Sequence, residues 1–144
     1  MRIVLDTTIL VRANESSHGL ARELIFSILS GGHSLVLSNE ILYELGRVLR
    51  YTRLQSLYGL SEQRVYDYIG FLREVAEIVT LNVFLSAPIR DINDLIVVQT
   101  AVIGEADVLC TTDDDFYDPV ITTFLTKLGI NVLDDIALMR QIRR

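Results

Sequence analysis

Short apolar runs alternate along this chain with segments of helical period, and that alternation limits the fold more than any other feature. Residues 2–5 form the first run, which stops at Asp6. Residues 18–30 then set Leu20, Leu24, Ile25 and Ile28 at helical spacing until Gly31-Gly32 ends the helix. Residues 35–37 make a second run. Ser38 or Asn39 caps the following helix, which carries Ile41, Leu42, Leu45, Val48 and Leu49 on one face. After a connection containing Arg and Tyr, Ser61 opens a helix with Val65, Ile69, Leu72, Val75 and Ala76, and residues 78–83 read as a strand. Asn93 is the expected cap of a helix over 94–104 with Gly104 at its stop, and Val108 to Thr111 is the next strand. Asp118-Pro119 starts a helix that ends at Gly129, and a strand over 130–133 with a helix from Asp134 completes the pattern. Parallel strands need crossovers and become covered on both faces. The expected fold is therefore α/β, a three-layer sandwich with a mostly parallel central sheet flanked by helices.

With 144 residues, 50% of them hydrophobic, and no repeat or Pro/Gly/Ser-rich linker, one core and a single domain over 1–144 are expected. Thirteen basic against nineteen acidic residues leave a net charge of −6, which excludes a protein that holds nucleic acid by bulk positive charge. Cys110 is the only cysteine, so no disulfide forms within the chain and a reducing cytoplasm is the simpler home. It lies inside an apolar run and reads as core. Residues 20–29 are interrupted by Arg22 and Glu23, residues 95–104 are too few to cross a bilayer, and the run before Asp6 is too short for a signal sequence. No membrane segment is expected.

In a sheet of this kind ligands gather at the carboxyl ends of the strands. The polar residues standing there are mostly acidic. Asp6 ends the first strand, Asp113 and Asp115 follow the strand at 108–111, and Asp94 stands near the start of the helix before it. Each has an ordinary explanation: a turn for Asp6, a helix-dipole partner for Asp94, a solvated loop for Asp113 to Asp115. Helix arithmetic separates Glu44 from Glu40: at 100° per residue Glu44 lies about 100° from the centre of the apolar stripe and Glu40 about 140°. Glu44 borders the core and Glu40 points to water. Carboxylates drawn together from distant positions repel unless a hard divalent cation sits among them, and oxygen ligands suit magnesium or manganese. His18 and His33 have no partner at metal-ligand spacing and read as surface residues.

Four segments carry a family resemblance: Val4-Leu5-Asp6-Thr7-Thr8-Ile9-Leu10; Ser38 to Leu45 with Glu44; Asp91-Ile92-Asn93-Asp94; and Ala106-Asp107-Val108-Leu109-Cys110-Thr111-Thr112-Asp113. In this order and spacing they resemble a PIN domain, and within that superfamily the toxins of toxin–antitoxin pairs related to VapC. The resemblance implies a Mg²⁺- or Mn²⁺-dependent ribonuclease with an acidic cleft. It places Asp6, Glu44, Asp94 and Asp113 on the family's acidic positions, with Asp115 on a further, less uniform one. Thr7 and Thr111 take the hydroxyl positions that orient the first and last acids. Thr8 stands where the family commonly has Asn, keeping a hydrogen-bonding group. Asp91 fits as a residue behind the ligands or as the cap of a turn. In a two-metal arrangement Asp6 would bridge, with Glu44 and Asp94 on one side and Asp113 and Asp115 on the other.

Substrate contacts are expected from arginine, since twelve of the thirteen cations are Arg and only Lys127 is lysine. Arg47, Arg50 and Arg53 cluster around Tyr51, with Arg12 and Arg90 beside the acidic motifs; for any one of them a solvated helix end is the simpler explanation. The resemblance also implies an antitoxin that covers the cleft and allows a homodimer, for which Leu54, Leu57, Tyr58 and Leu60 offer apolar surface, although a loop packed on the core explains the same residues equally well. Two other readings stay open. One is a PIN-like module without catalysis, for which Thr8 speaks. The other, less favoured, is an aspartate-based phosphate-handling domain, whose chemistry wants a lysine near the phosphate.

Overall fold

The computed structural model describes residues 1–83 and 85–144. The elements follow in the order β1 (Arg2–Leu5), α1 (Thr7–Arg12), α2 (Leu20–Ser30), β2 (Ser34–Ser38), α3 (Asn39–Leu49), α4 (Thr52–Tyr58), α5 (Glu62–Val75), β3 (Glu77–Val79), α6 (Ile92–Ile103), β4 (Val108–Cys110), α7 (Pro119–Lys127), β5 (Asn131–Leu133) and α8 (Asp135–Ile142). The strands form one sheet in the order β3-β2-β1-β4-β5, and every pairing is parallel. The expected α/β architecture is the one found.

β1 is the centre of this sheet. Ile3 pairs with Leu35 of β2 on one side and with Val108 of β4 on the other, and Val4 and Leu5 align with Leu109 and Cys110. Ile3, Val4 and Leu5 have no exposed surface. A parallel strand with neighbours on both edges and helices on both faces has no polar side, which is why its sequence is continuously apolar. With right-handed crossovers, the helices between β1 and β3 cover one face while α6 and α7 cover the other. α8 returns to pack on α2. The chain runs from β1 towards β3 in one direction, then crosses to β4 and continues in the other. The strand order therefore reverses between β1 and β4, and a crevice opens at their carboxyl ends.

The helix starts follow side-chain capping. Ser38, Ser61, Asp118 and Asp134 each accept a backbone N–H in the first turn of α3, α5, α7 and α8. Gly104 ends α6 where the helix presses on the sheet; a Cβ there would come within 2.6 Å of Val36 Cγ1. Tyr68 of α5 is fully buried and donates its hydroxyl to the Leu10 carbonyl at 2.7 Å, tying α5 to α1.

Several boundaries differ from the sequence reading. Residues 7–12 fold as α1, although Thr7-Thr8-Ile9-Leu10-Val11 has the composition of a strand, because the Asp6 side chain caps it and Ile9 and Leu10 are buried. The Arg- and Tyr-containing connection holds α4, which ends at Gly59 in the left-handed conformation, φ 63°. The third strand stops at Val79 rather than 83. α6 starts at Ile92, capped by Asp91 and not by Asn93, because the Asp91 carboxylate accepts the N–H groups of both Asn93 and Asp94. His33 is half-buried rather than on the surface, its Nδ1 2.9 Å from the N-terminal amine. Leu54 and Leu60 are buried and Tyr58 is half-buried, so of the four apolar residues expected at a surface only Leu57 is open. Cys110 is in the core as expected.

Candidate active site

Asp6 leaves the end of β1 into the crevice between β1 and β4. Its backbone N–H donates to the Cys110 carbonyl at 3.0 Å, extending the β1–β4 pairing by one residue. Its side chain then turns back to cap α1. Oδ1 accepts the N–H of Thr8 at 2.9 Å and of Ile9 at 3.3 Å, and the Thr8 hydroxyl at 2.5 Å. Oδ2 accepts the Thr111 hydroxyl at 2.5 Å. The residue is 3% exposed. Burial pushes its pKa up, and the bonds from Thr111 and Thr8 oppose that rise.

Thr111 links the first and last acidic motifs. While its hydroxyl donates to Asp6, the same oxygen accepts the N–H of Asp113 at 2.9 Å. The expected orienting role of Thr111 thus has a direct geometric counterpart. Thr7 lines the cleft, but among the described residues the side chains that donate to Asp6 are Thr8 and Thr111. Thr8, the departure from the family pattern, supports the acid itself. Tyr117, which drew no attention in the sequence, donates its hydroxyl to the Thr111 carbonyl at 2.8 Å and steadies this corner. No local spacing signals that contact.

Asp94 arrives from the first turn of α6, placed there by the Asp91 cap. Asp113 caps a 3₁₀ turn over Asp114–Tyr117, accepting the Asp115 N–H at 2.9 Å. One carboxylate oxygen from each of Asp94, Asp113 and Asp115 lies within 4.8 Å of the others. Burial, and then repulsion from Asp113, Asp91, Asp115 and Asp6, pushes the Asp94 pKa up to about 7. Among the described residues no arginine or lysine forms a salt bridge to these three acids.

Glu44 reaches the same cleft from α3, its side chain 14% exposed, whereas Glu40 faces water as the helix arithmetic required. Arg47 grips Glu44 with two hydrogen bonds of 2.9 and 2.7 Å, and the guanidinium also lies 5.5 Å from the centre of the Tyr51 ring. The cleft, about 340 Å³, brings together Asp6, Thr7, Thr8, Glu44, Asp91, Asp94 and Asp113, with Arg53 and Asn93 on its walls. Asp115 stands in an adjoining hollow that shares Asp91 and Asp94 with the cleft and adds Arg90. The tight group of three divides the acids differently from the expected arrangement, which paired Asp94 with Glu44. The start of α6 packs beside the loop after β4, and Glu44 is occupied by Arg47.

The other expected phosphate contacts separate. Arg53 and Arg90 border the acidic space. Arg12 pairs with Asp135 at 3.0 Å and Arg50 with Glu62 at 2.9 Å. Lys127 lines a different hollow with Pro88, Pro119 and Phe124, away from the acids. Among the described residues no helix is long and apolar enough to cross a membrane.

Comparison with known proteins agrees with this fold. The family model described as the PIN domain matches residues 2–115, a span that holds all five acids. No curated protein matches the sequence significantly. Five solved chains match significantly; one is from VapBC2 of Rickettsia felis bound to a DNA fragment from their promoter. It is 16% identical with a TM-score of 0.62, and the alignment covers 93% of this chain and 98% of that one. At that identity the likeness is one of fold.

Proposed function

Because the chain belongs to the PIN domain family, we propose that it is a Mg²⁺- or Mn²⁺-dependent endoribonuclease, a single PIN-like domain acting as the toxin of a toxin–antitoxin pair in the cytoplasm. The observation that carries the proposal is the convergence of Asp94, Asp113 and Asp115 within 4.8 Å, with no salt bridge to any of them among the described residues. Hard oxygen donors brought this close fit a hard divalent ion, and the pKa of Asp94, raised by burial and then by repulsion from its neighbours, reflects an ionised form that such an ion would stabilise. Asp94, Asp113 and Asp115 would hold it, with Asp6 and Glu44 completing the cleft.

A divalent ion bound there supplies charge neutralisation at the phosphoryl oxygens and eases deprotonation of the attacking water. The chain itself does the rest. Asp6, held on both oxygens, fixes the floor; Thr111 keeps Asp113 in register with it; Arg53 and Arg90 stand where phosphates flanking the scissile bond would lie. Thr8 bonds to Asp6 instead of leaving it unsupported, which favours a working site over an inert module. The phosphate-handling alternative lacks its cation, since Lys127 is elsewhere. Likeness in fold to a protein solved as VapBC2 supports an antitoxin partner; a homodimer rests on the family resemblance.

Asp94→Asn tests the reading. It is expected to abolish Mg²⁺- or Mn²⁺-dependent cleavage of RNA, and calorimetric binding of Mn²⁺, while the thermal melt stays cooperative. Cleavage retained at the parent rate would sink the assignment.

A further inference from the structure

Beside the acidic cleft, a hollow of about 610 Å³ lies between α3 and α5 with no carboxylate in its lining. Its walls carry Tyr43 and Arg47 from α3, Arg50 at the C-terminal cap of that helix, and Tyr66 and Arg73 from α5. Tyr43 is 77% and Tyr66 72% exposed, an unusual outlay of aromatic surface. Tyr43, Arg47 and Arg50 follow one another at four and three residues, so they share one helix face over about 10 Å. That is the length of about three stacked nucleotides at 3.4 Å each.

The hollow is continuous with the proposed catalytic cleft. Tyr43 and Arg47 also line an intermediate hollow, where they meet Glu44 and Asn93, and those two residues line the acidic cleft itself. The guanidinium groups are held in place before any ligand arrives. Arg47 is gripped by Glu44, Arg50 by Glu62 and the Gly46 carbonyl, and Arg73 by the amide oxygen of Asn39. Each guanidinium has five donors, so these contacts leave some free for a phosphate. Among the described residues Arg73 forms no salt bridge to a carboxylate.

We propose that the α3–α5 groove is the tract along which single-stranded RNA runs into the acidic cleft, its bases stacking on Tyr43 and Tyr66 and its phosphates meeting Arg47, Arg50 and Arg73. This rests on the ribonuclease reading of the cleft and extends it to the substrate class: an unpaired strand long enough to cover both. Aromatic faces accept any base, so the tract adds affinity and directs the strand without demanding a sequence. A net charge of −6 leaves room for such a tract, because binding would rest on stacking and on three placed guanidinium groups rather than on bulk positive charge.

The test measures binding of a fluorescent single-stranded RNA of about twelve nucleotides, within the usual range for such tracts, and of a dinucleotide, in the non-cleaving Asp94→Asn background. Tyr66→Ala is expected to weaken the longer RNA by about five-fold or more and leave the dinucleotide unchanged, with Tyr66→Phe restoring the affinity. Arg73→Ala is expected to weaken it and to flatten the slope of log affinity against log salt by about 0.7. Unchanged affinity in both variants overturns the proposal. So does a loss that tracks dissociation of a dimer, which would make the groove a contact between copies, or loss of binding to a protein partner with RNA affinity intact. Cleavage by the parent is scored separately: if it cuts neither RNA, the ribonuclease reading fails while the binding data still decide the groove.

Discussion

Two groups of carboxylates share one crevice and live in opposite circumstances. Asp6 is buried, yet four donors converge on its two oxygens. Asp94, half-buried a few ångströms from Asp113 and Asp115, receives no donor on its carboxylate among the described residues and is surrounded by charge of its own sign. The first is a carboxyl group whose two oxygens are satisfied by protein donors, so its position is set by the fold and it holds the strand ends together. The second group is an arrangement the fold tolerates without compensating it. The proposed ribonuclease site would use both: a fixed floor, and a place where stability is given up to create affinity for a cation.

Removing the floor should have the largest effect. Asp6→Ala deletes a helix cap and leaves the buried Thr111 hydroxyl without its acceptor, so a loss of about 2–4 kcal/mol is expected in urea unfolding. A loss below about 1 kcal/mol would show that Asp6 is not the structural anchor. The opposite sign is expected at Asp94. Its folded pKa is raised to about 7, so the ionised form destabilises the fold at and above neutral pH, and the penalty is relieved as pH falls from 7 towards 4. Asp94→Asn should therefore melt at a higher temperature than the parent at pH 8 in a chelating buffer, with the difference closing by about pH 4. A parent that gains nothing on acidification would erase the contrast between the two groups. The finest test is Thr8→Val, which removes one of the donors to Asp6 and keeps the backbone ones. About 1 kcal/mol of stability should be lost, measured in the same unfolding assay; a loss as large as that of Asp6→Ala would mean that the hydroxyl, not the cap, organises the floor.

The elements most legible in the sequence were those whose signal is local. The buried strands read as apolar runs because both faces are covered, and Ser38, Ser61, Asp118 and Asp134 marked helix starts through a bond each side chain makes within its own first turn. α1 and α4 were illegible for the converse reason. α1 is six residues of largely β-branched sequence held helical by one cap and by burial of Ile9 and Leu10. α4 has one buried residue, Leu54, too few to set a period. The start of α6 was misplaced because Asp91, Asn93 and Asp94 are all good caps, and only the geometry of the loop decides which one caps the helix.

The site divides in the same way. The sequence by itself determined that acids stand at the ends of β1 and β4 and at the head of α6, and that Glu44 rather than Glu40 turns inward, since these follow from position along an element. The tertiary structure alone decided which acids meet. Asp94 joins Asp113 and Asp115 because the chain crosses β1 between β3 and β4, bringing the head of α6 over the loop after β4. Arg47 closes on Glu44, and Thr111 spans 105 residues of chain to reach Asp6. Such contacts have no periodicity to read; they depend on strand order, and strand order is set by how the layers pack around one core rather than by any local run of residues.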